Sequence, residues 1–291
     1  MANELKFPYC RYLKEKLDRC EQYQKFVVYR DKILALSNDS LEKTIAIALW
    51  LCFACAILVS LAAVALKPFQ VENKAFDIKQ NILDVAGLLT PETNVDQAFA
   101  EKIEAKLVDM ETGDYVDNQE VDSYDQRKAA KDPALSIDIP AKKDIASIKR
   151  KAKIAKIYLV KEGDKIKSII LPVHGYGLWS TMYGFLALEP DGQTVQSINF
   201  YDQAETPGLG GEVVNPHWRA LWKGKQVYSS SGTVALSLVK GGVETGKPGS
   251  EFKVDGLAGA TLTSTGVTNL IRYWMSEEGF APYLAKVRTG S

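Results

Sequence analysis

The apolar positions of this chain fall into three textures. The first is an unbroken run, Thr44 to Leu66, with no charged residue and with Lys43 and Lys67 at its borders. At about 1.5 Å per helical residue such a run covers the ~30 Å hydrocarbon core of a bilayer, whereas the apolar region of a secretory signal has only about 7–15 residues. It predicts one transmembrane helix over residues 44–66. The second texture is helical spacing. It occurs in Glu72 to Leu89 through Phe76, Ile82, Leu83 and Val85, and in Val95 to Leu107 through Ala98, Phe99, Ile103 and Leu107. Val267, Leu270, Ile271, Trp274 and Met275 repeat it after Thr261, and Leu13, Leu17 and Cys20 show a weaker version in the polar arm before the span.

The third texture is β. K-I-Y-L-V, a turn at E-G-D and I-K-S-I-I-L-P-V predict one hairpin after Ile154, and the run from Phe185 to Phe200 predicts another around Pro190, Asp191 and Gly192. A further strand is expected within Val227 to Val239. Thr112 to Lys153 is charged and poor in apolar periodicity, which predicts an extended surface excursion. The expected architecture is α+β: an antiparallel sheet with covering helices in one domain over residues 67–291, carried on the transmembrane helix that follows an arm of residues 1–43.

Charge narrows the picture by exclusion. The 36 basic and 36 acidic residues cancel, so nothing points to nucleic acid. Lys25, Arg30, Lys32 and Lys43 before the span barely outnumber Lys67, Lys74 and Lys79 after it. The rest of the arm adds Lys6, Arg11, Lys14, Lys16 and Arg19, which favours a cytoplasmic N-terminus and an exported C-terminal domain. All four cysteines, Cys10, Cys20, Cys52 and Cys55, lie in the arm or the span. Residues 67–291 therefore hold no thiol for a cross-link or an iron–sulfur cluster. Cys52 and Cys55 stand at i, i+3; two thiols do not complete a tetrahedral metal site, and packing on a neighbouring helix is favoured. His174 and His217, the only histidines, are read as structural. No G-x-G-x-x-G fingerprint follows a strand, so the chain has no sign of an NADH site.

Three glycine-bearing segments carry the candidate chemistry. D-G-L-A-G-A-T-L-T-S, Asp255 to Ser264, places the hydroxyl of Thr261 in a loop directly before a helix. Thr263, Ser264 or Thr265 are expected to cap that helix, whose N-terminus favours a phosphoryl group. In His174 to Leu188, glycines 175, 177 and 184 interrupt a strand-like run. There Leu178 and Trp179 either cover a planar ligand or belong to the core, and Ser180 and Thr181 offer hydroxyls. E-T-P-G-L-G-G, Glu205 to Gly211, is a loop that can bring backbone N–H groups to a ligand or simply connect strands.

Together, and in this order, these segments resemble the FMN-binding domain family shared by the C subunits of the Na+-translocating NADH:quinone oxidoreductases and the G subunits of the Rnf electron-transport complexes. The resemblance covers nearly all of residues 38–291. It implies covalent FMN, joined by its phosphate to Thr261 in a phosphoester bond, with Asp255 as the motif's acidic position. The attachment would be made by a separate flavin transferase acting on a flavin dinucleotide. Carried over, the FMN-binding set is Asp255, Gly259, Ala260, Thr261, Leu262 and Thr263, with Leu178, Trp179, Ser180 and Thr181, and Thr206, Gly208, Leu209 and Gly210; no catalytic residue and no metal ligand are implied. Two departures are visible: Ala258 stands where Ser or Thr is usual, and the arm before about residue 38 exceeds the family's short cytoplasmic segment.

Y-D-Q-R-K-A-A-K-D-P, Tyr124 to Pro133, resembles a segment of the quinone reductases' C subunits, which favours that branch over the Rnf one. Taken alone it reads as a solvated helix and loop. The resemblance further implies an electron-relay subunit, inactive alone, in an inner-membrane complex with a second FMN subunit and iron–sulfur-bearing partners. A reading from another class is a membrane-anchored binding module with no redox role.

Overall fold

The computed structural model describes residues 21–117 and 120–289 of the chain. The expected arm helix through Leu13, Leu17 and Cys20 lies outside the described residues, as does Cys10. Two compact units emerge, Met1–Glu72 and Asn73–Ser291.

In the first unit, α1 (Glu21–Ala35) turns into α2 (Leu41–Val85). The ammonium of Lys43 donates to the carbonyls of Leu34 (3.2 Å) and Leu36 (2.9 Å) and to Asn38 Oδ1 (2.9 Å). A cation is thereby set against the carboxyl end of α1, where the helix dipole favours it. Among the described residues α2 is the one helix long and apolar enough to cross a membrane, and its most apolar stretch is unburied. Cys52 and Cys55 are exposed free thiols on it. The span and the helix expected at Glu72 to Leu89 are not separate: α2 is continuous over 45 residues with Pro68 inside it. Proline removes only one i to i−4 bond and so bends more readily than it ends a helix this long.

In the second unit, β1 (Ile103–Asp109), β4 (Ile154–Glu162), β5 (Lys165–Tyr176), β6 (Thr181–Leu188) and β7 (Val195–Asp202) form an antiparallel sheet in the order β1-β4-β5-β6-β7. Both predicted hairpins are present. Alternation along β4 fills two cores: Ile157 and Leu159 face one, Tyr158 and Val160 the other. The tail of α2, with Ile82, Leu83 and Val85 buried, joins α3 (Val95–Lys102) on the second face. The first face receives α6 (Thr261–Trp274) and α7 (Ala281–Thr289). Burial on both faces is why these strands read as apolar runs.

Three expectations are corrected. The helix from Val95 stops at Lys102, and Ile103 to Leu107 belong to β1, where Ile103 lies opposite Val160; pairing with β4 overrides the helical spacing. The strand expected within Val227 to Val239 is present as the short β8 (Ser237–Val239), but it lies outside the antiparallel sheet, running parallel to β9 (Lys253–Asp255) in a separate two-stranded ladder. Thr112 to Lys153 is no loose excursion: it holds α4 (Gln126–Ala129) and the antiparallel pair β2 (Ser136–Asp138) and β3 (Arg150–Ala152). It buries small or isolated apolar residues, Ala129, Ile139, Ala146 and Ala152, which leave no periodic trace.

The Tyr124 to Pro133 segment docks on the sheet. The Tyr124 hydroxyl donates to Ile154 O (2.7 Å), and Gln126 Oε1 accepts from Lys156 N–H (3.0 Å). Arg127 lies 3.3 Å from the centroid of the Tyr183 ring and pairs with Asp202 at 2.9 Å. A helix–sheet clamp joins Asp84 of α2 to Arg219 (2.6 Å) on α5 (Pro216–Ala220) and to Asn199 (3.0 Å) on β7.

Both outer edges of the sheet are partly occupied. At β7, Val195 N–H donates to Lys225 O, Gly224 N–H to Val195 O, and Arg219 Nε to Ile198 O. At β1, Val116 N–H donates to Leu107 O, and the strand also carries the charged side chains of Glu104 and Lys106, which pair with each other at 3.0 Å.

His174 on β5 is structural, as expected, and has a pH consequence. It stacks on Tyr183 at 5.2 Å and lies 4.8 Å from Trp274. Burial, with a smaller contribution from the charge of Arg127, pushes its pKa down to about 4. The unfolded chain, titrating near 6.5, binds a proton that the folded chain refuses between those values. The stability is thus fully present above about pH 6.5 and is lost as pH falls toward 4, by about 3 kcal/mol at most. Denaturant titrations of the full chain in detergent are expected to show this decline, and His174→Phe to flatten it; equal slopes in the two proteins would exclude His174 as its source.

Candidate functional site

The three glycine-bearing segments meet at one end of the second unit. They are the link from β5 to β6 (176–181), the loop after β7 (205–211) and the lead into α6 (256–265). Glu205, which is buried, ties them together. Its Oε1 accepts from the N–H groups of Leu178 (3.0 Å) and Trp179 (2.9 Å), and its Oε2 accepts from the Thr263 hydroxyl (2.6 Å). The carboxylate needs close approach from its neighbours. A Cβ on Gly177 would lie 2.5 Å from Glu205 Oε1, and one on Gly210 would lie 2.5 Å from Thr263 Oγ1. Gly259 adopts φ +70°, a conformation that L side chains rarely adopt, and packs beside Leu209.

Thr261 is the first residue of α6, with its side chain exposed and Ala260 at the N-cap position. No side chain caps this helix, contrary to the expectation for Thr263, Ser264 and Thr265. Their hydroxyls are spent elsewhere: Thr263 on Glu205, Ser264 Oγ in accepting from Leu257 N–H (2.9 Å), and Thr265 Oγ1 in donating to Thr261 O (2.9 Å). The N-terminal N–H groups of a helix have no intrahelical acceptor, so an uncapped first turn beside an exposed hydroxyl suits a phosphoryl group.

Around Thr261 stands an apolar rim. Leu178, Trp179, Leu209 and Leu262 are all exposed, Trp179 by 64%. Trp179 is therefore not a core residue. Ser180 Oγ accepts from Ala204 N–H (2.9 Å), and Thr181 opens β6 opposite Tyr176. Thr206 O accepts from the N–H groups of Leu209 (3.1 Å) and Gly211 (2.9 Å), closing the turn that contains Gly208. Asp255 stands apart from this rim chemistry. Its Oδ1 accepts from Val243 N–H (2.6 Å) and its carbonyl from Trp218 Nε1–H (2.9 Å), so it holds the approach to the loop.

The second histidine, His217, is exposed on α5. Glu205 is the residue the sequence reading missed; its only signal is its place at the head of E-T-P-G-L-G-G, and nothing in the sequence names its partners. A phosphate-bearing planar aromatic such as FMN fits these residues: hydroxyl and uncapped helix for the phosphate, and the apolar rim for the ring.

The model of the FMN-binding domain family matches residues 177–276, from the first glycine of the β5–β6 link to just past the end of α6. Over 254 residues the chain is 51% identical to the C subunit of the Na(+)-translocating NADH-quinone reductase of Vibrio vulnificus (strain YJ016), covering 87% of this chain and 98% of that protein. The chain belongs to this C-subunit family. The Pseudomonas aeruginosa relative of the same name is 48% identical over 257 residues, with 87% and 98% covered. The fold agrees. A crystal structure of Shewanella oneidensis NqrC, 36% identical, superposes with a TM-score of 0.69 over 75% of this chain and 99% of that one. That of the C subunit from Parabacteroides distasonis, 26% identical, gives 0.59 over 75% and 96%.

Proposed function

We propose that this chain carries FMN on Thr261 through a phosphoester bond and serves as an electron relay in a Na+-translocating NADH:quinone reductase. The observation that carries the proposal is the exposed Thr261 hydroxyl at the uncapped N-terminus of α6, inside the rim of Leu178, Trp179, Leu209 and Leu262. When bound, FMN supplies reversible electron acceptance. The chain's own part is to seat the phosphate on the first turn of α6, to cover the ring with the rim, and to leave one edge open to a redox partner. Attachment forms the Thr261 Oγ1–phosphorus bond and breaks the pyrophosphate bond of a flavin adenine dinucleotide, releasing AMP; the metal that holds the pyrophosphate and the base that takes the hydroxyl proton belong to a separate flavin transferase. The partners are the other membrane subunits of the complex, including a second FMN subunit and iron–sulfur-bearing subunits. Peptide mass analysis of the purified chain tests the site: FMN is expected on the peptide carrying Thr261 and on that residue.

The proposed setting is the bacterial inner membrane, with α2 spanning it, the N-terminus cytoplasmic and the FMN domain outside. A reporter active only after export is expected to work when fused after Ser291. Activity there of a cytoplasm-restricted reporter instead would reverse the topology.

A further inference from the structure

We propose that Glu205 is the positioning residue of the flavin site, locking the Leu178–Trp179 turn to the first turn of α6 and standing beside the ring as a fixed negative charge. The inference rests on the flavin reading above. Leu178, Trp179 and Thr263 come from segments 27, 26 and 58 residues away in sequence, and the two oxygens of this one carboxylate join them. The backbone N–H of Glu205 is itself held by Gln203 Oε1 at 2.6 Å. The side chain is therefore fixed at both ends, and a shift of either loop would break at least one short bond.

The charge adds something the geometry does not require. A glutamine could make the same contacts, its Oε1 accepting from Leu178 and Trp179 and its Nε2 donating to Thr263 Oγ1. Burial alone would raise the carboxyl's pKa, but the hydrogen bonds from Thr263, Trp179, Leu178 and Ser180 outweigh it and hold the group below the usual glutamate value, hence ionised. Among the described residues no basic side chain forms an ion pair with it. A buried anion stabilised by dipoles alone keeps its field, and placing an electron on a ring beside that field is disfavoured. The carboxylate thus holds the flavin's reduction potential down while it shapes the pocket.

The test uses the full chain, matured by its flavin transferase. Glu205→Gln is expected to show a more positive midpoint potential for the flavin it carries. Glu205→Ala is expected to lose most of its covalent flavin and to exchange the Leu178 and Trp179 amide protons at least tenfold faster. An unchanged potential in Glu205→Gln would remove the electrostatic role, and unchanged amide exchange in Glu205→Ala would remove the positioning role. Should either variant fail to fold, Thr263→Val is expected to speed the same amide exchange and Thr263→Ser to restore it; equal exchange in the two would overturn the proposal. A parent chain that carries no flavin would instead refute the reading on which the inference rests, while the amide-exchange comparison still decides the positioning role.

Discussion

Replacing Thr261 by alanine is expected to abolish covalent flavin completely while leaving the fold intact. The chemistry demands a hydroxyl, and the structure ranks those available. Thr263 is buried with its hydroxyl on Glu205, and Ser264 is bound to Leu257 and Ala260. Thr265 is exposed but donates to the Thr261 carbonyl one turn back. Thr261 alone of the four is exposed at the first position of α6 and makes no side-chain cap. Alanine there removes no buried contact and suits a helix. Yellow in-gel fluorescence after denaturation is expected for the parent and for Thr261→Ser, and to be absent for Thr261→Ala. Fluorescence persisting in Thr261→Ala, or the FMN mass on one of the neighbouring hydroxyls, would move the attachment site.

The largest expected effect on stability is that of Trp274→Ala. Trp274 is fully buried, 4.8 Å from His174 and 5.5 Å from both Tyr273 and Phe280 between ring centroids, and its Nε1–H donates to His174 O at 2.6 Å. Truncation removes that packing and orphans a carbonyl on β5. Large aromatic deletions in cores cost about 3–5 kcal/mol, against the roughly 5–15 kcal/mol that holds a domain together. Because α6 carries both Trp274 and Thr261, the variant is expected to lose flavin yield along with its denaturation midpoint. Trp274→Phe is expected to lose less. A loss below about 1 kcal/mol would mean that this core relaxes around the gap.

Legibility in the sequence followed the range of the interactions. The span, both hairpins and α6 are set by local pattern and were readable. The fusion of the span with the following helix was not, because Pro68 gives a local stop signal that 45 residues of helix tolerate. Ile103 carried helical spacing and strand chemistry at once, and only its pairing with Val160 decides between them. At the site, Thr261 and the glycine loops announced themselves by motif, whereas Glu205 acts on residues dozens of positions away and looks like any loop acid. Arg127 is similar: its aromatic partner, Tyr183, is visible only once the chain is folded.

The guarded edges of the sheet limit how this subunit meets its neighbours. With β7 partly occupied by Lys225, Gly224 and Arg219, and β1 engaged by Val116 and lined with Glu104 and Lys106, little free ladder is left among the described residues for a visiting strand to extend. Both faces are already covered by helices and loops. Assembly must therefore proceed through side-chain surfaces, and the apolar surface at the site is the rim around Thr261. On the proposed flavin reading, electron transfer needs its centres close together, so the rim proposed to receive the ring would also be the landing place for the next carrier, and loading the cofactor would alter the surface that the carrier meets.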